Sequence, residues 1–397
     1  MIPPYRTAYN AQFTAAKYAA FLADIAAEGR TTPPFRVAET PVFIPTILRE
    51  KMLDAANHII DVILQPDFKE RTEAAIPADL RVANENDHAH CVIIDFAVCQ
   101  NQQGMLEPQL IELQGFPSLF AFQELLGRQF RRHFDIPAST DNFPAGWDQR
   151  RYYDFLQHTF LAGHAPEHVI LLEVQPLQQK TLVDFYATEN QLGIRPVCVS
   201  DLIQEGRSLF YLRDGVKTQV KRIYNRVIFE DLEKQKFNLG HIPDLFGPLD
   251  VTWAPHPNWF YRISKYTLPL LYHTYIPESR FLHTVTTLPT DLENYVLKPL
   301  FSYAGQGVII NVTPAHIASI ENPTQWILQR KVEYAPAVET PTGPAKCEVR
   351  LMYAWPDADP RPTLVHSLVR LSKSAMIGVN FNAQDNWVGG SAGFFER

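Results

Sequence analysis

A lysine closes an apolar run just ahead of a glycine-bearing loop. The segment reads Tyr295-Val-Leu-Lys298-Pro299, then Phe301-Ser302-Tyr-Ala-Gly305-Gln-Gly307, then the apolar Val308-Ile-Ile310. Strand, loop and strand in that order differ from a phosphate loop that opens a helix. Glycines in such a loop let backbone N–H groups come close to phosphate oxygens. Lys298 adds a compact positive charge. The same spacing also describes a plain hairpin with a lysine at its edge. Further on, Lys346-Cys-Glu348-Val-Arg350-Leu-Met-Tyr-Ala-Trp355 sets a carboxylate and a guanidinium two residues apart, hence on one face of a strand. Val365-His-Ser-Leu-Val-Arg370-Leu371 brings another guanidinium in a similar setting. Cations that converge in this way suit an anionic, phosphorylated ligand. A structural ion pair is the other reading of Glu348 and Arg350.

These residues need elements to hold them. Residues 9–28, rich in alanine and aromatics, read as a helix ending at Gly29. Residues 45–64 carry apolar side chains at helical spacing. Cys91-Val-Ile-Ile-Asp95-Phe-Ala-Val98 reads as a buried strand, residues 100–104 as a turn, and residues 108–113 as a returning strand. A helix over 116–134 opens at Pro117-Ser118 and ends among Arg128, Arg131 and Arg132. The rhythm then becomes strand 168–174, helix 178–192 closed by Gly193, and strand 195–199, which predicts an α/β unit with a parallel sheet. Strands at 208–212 and 217–223 flank the turn Asp214-Gly215. A helix is expected over 262–273, and strands over 295–299, 308–312, 326–332, 347–355 and 363–371. The class is mixed α+β and α/β.

Composition narrows the partners. The 397 residues hold 36 Lys+Arg against 43 Asp+Glu, a net charge of -7, which argues against a broad basic face for nucleic acid. No run approaches about 18 apolar residues, and no charged segment followed by an apolar one opens the chain. The expectation is a cytoplasmic protein without a membrane partner. Cys91, Cys99, Cys198 and Cys347 show no C-x-x-C pair and read as reduced thiols. Asp87-His-Ala-His90 is a lone H-x-H and reads as a loop. Glycine is sparse, 18 residues against 31 prolines, so the cluster Gly378, Gly389, Gly390 and Gly393 reads as a tail able to close over a ligand.

The order of these motifs resembles the ATP-grasp superfamily. Lys298-Pro299 with Gly305 and Gly307, a hinge strand at 329–332, the pair Glu348/Arg350, the Arg370 strand and an Asn/Gly-rich loop at 380–390 follow its sequence. That pattern goes on to an Asp strand and a Glu-x-Asn strand, and Arg397 comes before either. Asp95-Phe96 and Leu110-Ile-Glu112-Leu-Gln114 look like the missing pair, with Pro117-Ser118-Leu119 at the following helix start. This arrangement is similar to circularly permuted ATP-grasp proteins of the glutathionylspermidine synthetase kind. The resemblance leaves the first 75 residues uncovered. It departs from the pattern at Gln114, where the family has Asn, and at Ile93, where an Arg is common.

The resemblance implies a circularly permuted ATP-grasp fold with a Rossmann-like pre-ATP-grasp domain. Residues 1–150 would hold N-terminal helices and the permuted metal-binding part, 151–255 the pre-ATP-grasp α/β domain, and 256–397 the nucleotide-binding part. It implies ATP and Mg²⁺ as cofactors, with Asp95, Glu112 and Gln114 on the metal. Lys265, Lys298, Ser302, Gly305 and Gly307 would meet the phosphates, Gln329, Lys331 and Val332 the adenine edge, and Glu348 the ribose. Lys298, Arg350 and Arg370 would stabilise the transferring phosphoryl group. The implied reaction joins a small-molecule carboxylate to an amine through an acyl phosphate. A small-molecule kinase and a degenerate nucleotide-binding scaffold remain as alternatives. Arg222 and Arg226 are read either as holding a substrate carboxylate or as surface charges.

Overall fold

The computed structural model describes residues 1–235, 239–301, 307–374 and 388–397. The N-terminus forms two helices, Pro3–Gln12 and Ala15–Glu28, in place of one over 9–28. Thr14 takes extended backbone between them, and its hydroxyl accepts from the Lys17 N–H as the cap of the second. Strand β1 (Val42–Ile44) leads to the helix Thr46–Ile63, which buries Leu48, Met52, Ala55, Ile59 and Ile60 on one stripe. Strands β2 (Cys91–Gln100) and β3 (Leu106–Gln114) form the expected hairpin. The next helix, Phe120–His133, starts later than Pro117-Ser118 indicates. Its first turn is capped from a distance: the Asp184 carboxylate accepts from the Leu119 and Phe122 N–H groups at 3.2 and 2.9 Å. Strand β4 (Thr140–Asp141) follows.

Strands β5 (Val169–Glu173) and β6 (Arg195–Cys198) lie parallel, with the helix Leu182–Leu192 between them in sequence. Then β7 (Ile203–Glu205), β8 (Ser208–Arg213) and β9 (Val216–Val220) make a small antiparallel sheet. The single strand expected over 217–223 is two strands: Lys221 separates β9 from β10 (Arg222–Asn225), which joins the parallel sheet instead. With β11 (Thr252–Ala254) that sheet runs β11-β10-β5-β6, parallel throughout.

In place of a helix over 262–273 the chain makes a short helix, Asn258–Arg262, and a 3-10 helix, Lys265–Leu270, with Pro269 inside it. Strands β12 (Ser279–Phe281), β13 (Tyr295–Pro299), β14 (Ile309–Ile310) and β15 (Trp326–Arg330) form a sheet in the order β12-β15-β13-β14. Strand β16 (Val338–Thr340) pairs with β17 (Gly343–Ala354). Strand β17 lies between β18 (Thr363–Ser372) and β2, so one sheet, β19-β18-β17-β2-β3, draws on both ends of the chain. Its outer strand is β19 (Val388–Ser391); β20 (Gly393–Glu396) pairs with β1 and β4. Gly389, Gly390 and Gly393 therefore belong to paired strands and not to a free closing tail, whereas Gly378 lies outside the described residues. Among the described residues no helix is long and apolar enough to cross a membrane.

Candidate active site

Register in the mixed-origin sheet decides what meets what. Asp95 on β2 lies opposite Arg350 on β17 and opposite Glu112 on β3. Glu348 lies opposite Arg370 on β18. Directly paired residues share a face, so the charged side chains lie on one face in two adjacent rows: Arg370 beside Glu348, and Arg350, Asp95 and Glu112 across β17, β2 and β3.

Asp95 is fully buried and bound bidentately by Arg350, whose Nε and Nη2 donate to the two carboxylate oxygens at 2.6 Å each. Arg370 Nη2 donates to Asp95 at 2.9 Å and to Glu348 at 2.7 Å. The two guanidiniums overcome burial and hold the Asp95 carboxyl below its usual range. Glu348 is pushed up to about 7, because burial and the nearby Asp95 outweigh the pull of Arg370. Arg370 keeps its side chain 30% exposed, and its Nε has no partner among the described residues.

A second group stands at the open end of β3. The ladder slips between Asp95 and Phe96, which leaves Ile111 as the extra residue of β3. Its freed carbonyl accepts from Lys298 Nζ at 3.1 Å, which ties β13 to β3. Lys265, in the 3-10 helix, is buried and lies within electrostatic reach of both Glu112 and Lys298. The Lys298 ammonium is pushed down to about 8, chiefly by burial and further by Lys265, while Glu112 works the other way. Gln114 Nε2 donates to Glu112 at 2.5 Å. In all, Lys265, Lys298, Arg350 and Arg370 face Asp95, Glu112 and Glu348, so this end of the sheet carries surplus positive charge.

Glycine matters at two places here. Gly115 follows β3, and a Cβ there would lie 2.4 Å from the Trp259 carbonyl, so only glycine lets the helix Asn258–Arg262 approach. Gly307 has φ +70° and turns the chain back over Pro299. Ser302, Gly305 and residues 380–387 lie outside the described residues.

The expected residues do not all keep their expected settings. Lys265, Lys298, Glu112, Arg350, Arg370 and Glu348 come together. Gln329 is buried on β15 with its Nε2 unpartnered among the described residues, a donor at the strand expected to line a base. Lys331 and Val332 follow the end of β15, and the Lys331 N–H is already given to the Asn294 carbonyl. The proposed magnesium set does not fit as it stands. Both Asp95 oxygens are taken by guanidiniums, and Gln114 turns its amide nitrogen, not its oxygen, to Glu112. Among the described residues no three or more His, Cys, Asp or Glu side chains form a metal cage. Phosphates fit better, because four cations meet three carboxylates here and Arg370 Nε is buried without a partner among the described residues.

Arg222 is neither exposed nor a ligand of this group: it donates to the Thr159 carbonyl and pairs with Asp357 at 2.9 Å. His90 is buried beside the same Asp357 at 2.7 Å. Arg226 is buried too, with Nε and Nη1 unpartnered among the described residues. Glu173 beside it was not among the candidate residues. The signal lay in its place as a charged residue ending the apolar run Val169-Ile-Leu-Leu172.

No protein-family model matches the sequence, and no curated protein matches it. Among solved structures, the chain is similar to a glutathione synthetase-like effector from Globodera pallida in its apo form, with a TM-score of 0.60, 12% identity and 96% of each chain covered. At this identity the likeness is one of fold alone, a mixed α/β architecture shared along nearly the whole of both chains.

Proposed function

We propose that the chain is an ATP-dependent ligase that activates a small-molecule carboxylate and joins it to an amine. One observation carries the reading: the buried Lys265 and the half-buried Lys298, from separate elements, stand around the carboxylate of Glu112, with Arg370 nearby. Such a group attracts a polyanion, and Gln329 offers a buried amide donor toward a base. The glutathione synthetase-like fold of the solved neighbour supports the same class.

ATP supplies the phosphoryl group. In the proposed reaction the substrate carboxylate oxygen bonds to the γ-phosphorus, and the bond from that phosphorus to the β–γ bridging oxygen breaks, releasing ADP. The amine then bonds to the acyl carbon, inorganic phosphate leaves, and the amine gives up a proton to solvent. The work of this chain is to position reactants and stabilise charge. Lys298 and Lys265 hold phosphate oxygens. Arg370, with its unpartnered Nε, meets charge that develops on the transferring group. Arg350 reaches no further than Asp95 and keeps Arg370 in place through the shared carboxylate. The scaffold reading draws on this same observation, since Asp95 is closed off by guanidiniums.

Turnover with candidate acids in the presence of hydroxylamine tests the proposal. Hydroxamate with ADP indicates an acyl phosphate; a stable phosphorylated product without hydroxamate indicates a kinase; neither, with nucleotide bound, indicates a scaffold.

A further inference from the structure

The parallel sheet has a feature that the nucleotide group does not use. Its order is β11-β10-β5-β6, so the chain leaves β5 to one side for β6 and later returns on the other side as β10. The direction of winding reverses between β5 and β10. In open parallel sheets a crevice forms outside the carboxyl ends of the strands at such a reversal, and ligands bind there. Two residues stand at the carboxyl ends of these two strands. Glu173 ends β5, and Arg226 follows β10 directly, with its N–H bonded to the Leu172 carbonyl at 2.9 Å.

Arg226 is only 6% exposed, yet its Nε and Nη1 have no hydrogen-bond partner among the described residues. Its guanidinium lies against the rings of Phe116 and Phe185, 4.8 and 5.7 Å from their centroids. Neither Glu173 nor Asp184 hydrogen-bonds this guanidinium among the described residues. Glu173 accepts from the Val174 N–H at 2.7 Å, and Asp184 caps the helix Phe120–His133. Unmade bonds to a buried guanidinium are costly, so they mark a place where a ligand completes the set. Burial pushes the Glu173 carboxyl up to about 7, against the pull of Arg226, so it can ionise when a cation arrives. Phe116 stands two residues beyond Gln114, which connects the crevice to the phosphate-binding end of β3.

We propose that the crevice between β5 and β10 binds an α-amino acid, its carboxylate on Arg226 and its ammonium on Glu173. The proposal names the substrate class for the ligase reading and rests on it. A guanidinium and a carboxylate on neighbouring strand ends match the two charges of one α-carbon. A bare dicarboxylate would leave Glu173 facing like charge.

The test measures thermal shifts of the full chain with free amino acids, their carboxamides and their N-acetyl forms at about 10 mM. Free amino acids should raise the melting temperature, carboxamides should not, and N-acetyl forms should act weakly. R226K should weaken amino-acid binding at least about tenfold, a loss near 1.4 kcal/mol, and leave the affinity for a non-hydrolysable ATP analogue unchanged. E173Q should lose the preference for a free amine while keeping that for a carboxylate. Carboxamides binding as well as acids, or R226K binding amino acids like the parent, overturns the proposal. So does an absence of any amino-acid shift in a protein that binds the ATP analogue, and this leaves the ligase reading standing. Amino-acid binding through Arg226 without nucleotide binding sinks the ligase reading instead. The comparison of acids with carboxamides uses the unmodified chain, so it holds even if R226K does not fold.

Discussion

Replacing Asp95 by asparagine separates a structural carboxylate from a metal ligand. Asp95 is fully buried and takes three hydrogen bonds from Arg350 and Arg370. D95N keeps the shape and removes the charge. Arg350, itself 7% exposed, is then left without an acid to pair with, whereas Arg370 keeps Glu348. Breaking a buried pair by removing one partner costs about 3–5 kcal/mol, a large share of a typical stability of about 5–15 kcal/mol. Urea midpoints followed by intrinsic fluorescence measure the loss. The double variant D95N/R350M should recover part of it, because two neutral partners leave no stranded charge. The acid limb gives a second check. A carboxyl held below its ordinary value contributes its stability above the unfolded pKa of about 3.9 and loses it as pH falls through the folded value. Parent and variant should therefore converge in acid. A D95N protein within about 1 kcal/mol of the parent refutes the ion-pair argument; if it has also lost magnesium-dependent nucleotide binding, Asp95 is a metal ligand after all.

Other expectations follow from single residues. Binding of an ATP analogue should weaken as pH rises through about 8, where the Lys298 ammonium loses its proton, and K298M should remove that dependence; a flat profile in the parent argues against Lys298 as a phosphate contact. G115A should cost about 1–3 kcal/mol in a denaturation series, since the new Cβ meets the Trp259 carbonyl at 2.4 Å. His90, His256 and His366 are each held down to about 4, mainly by burial, and so take up protons only on unfolding. These three imidazoles add stability as pH climbs from about 4 to 6.5, while Glu173 and Glu348, held up to about 7, release protons on unfolding and work the other way. Potentiometric titration across the unfolding transition at pH 5 should therefore show a net uptake below three protons that is larger in E173Q than in the parent.

Much of the fold was legible because it rests on local pattern. The hairpin of β2 and β3 and the β5–helix–β6 unit follow from apolar runs bounded by turn residues. The misses share a cause: tertiary partners overrode local signals. Pro117-Ser118 offered a helix start, but Asp184 from another helix sets it at Phe120. Lys221 looks like part of one strand, yet β10 leaves β9 for the parallel sheet. At the candidate site the residue types were readable and the pairing was not. Asp95 and Arg350 are 255 positions apart, and only the register of β2 on β17 reveals that the acid is consumed by guanidiniums. Arg226 read either as a substrate contact or as a surface charge; its burial at a strand end of the parallel sheet depends on the order of that sheet, which the sequence does not print.

Calorimetric titration of a non-hydrolysable ATP analogue into the parent chain and K298M, with and without Mg²⁺, bears most directly on the nucleotide site. The account predicts binding by the parent and at least about a tenfold loss in K298M, near 1.4 kcal/mol. No binding by the parent in either condition, or equal binding by K298M, contradicts it.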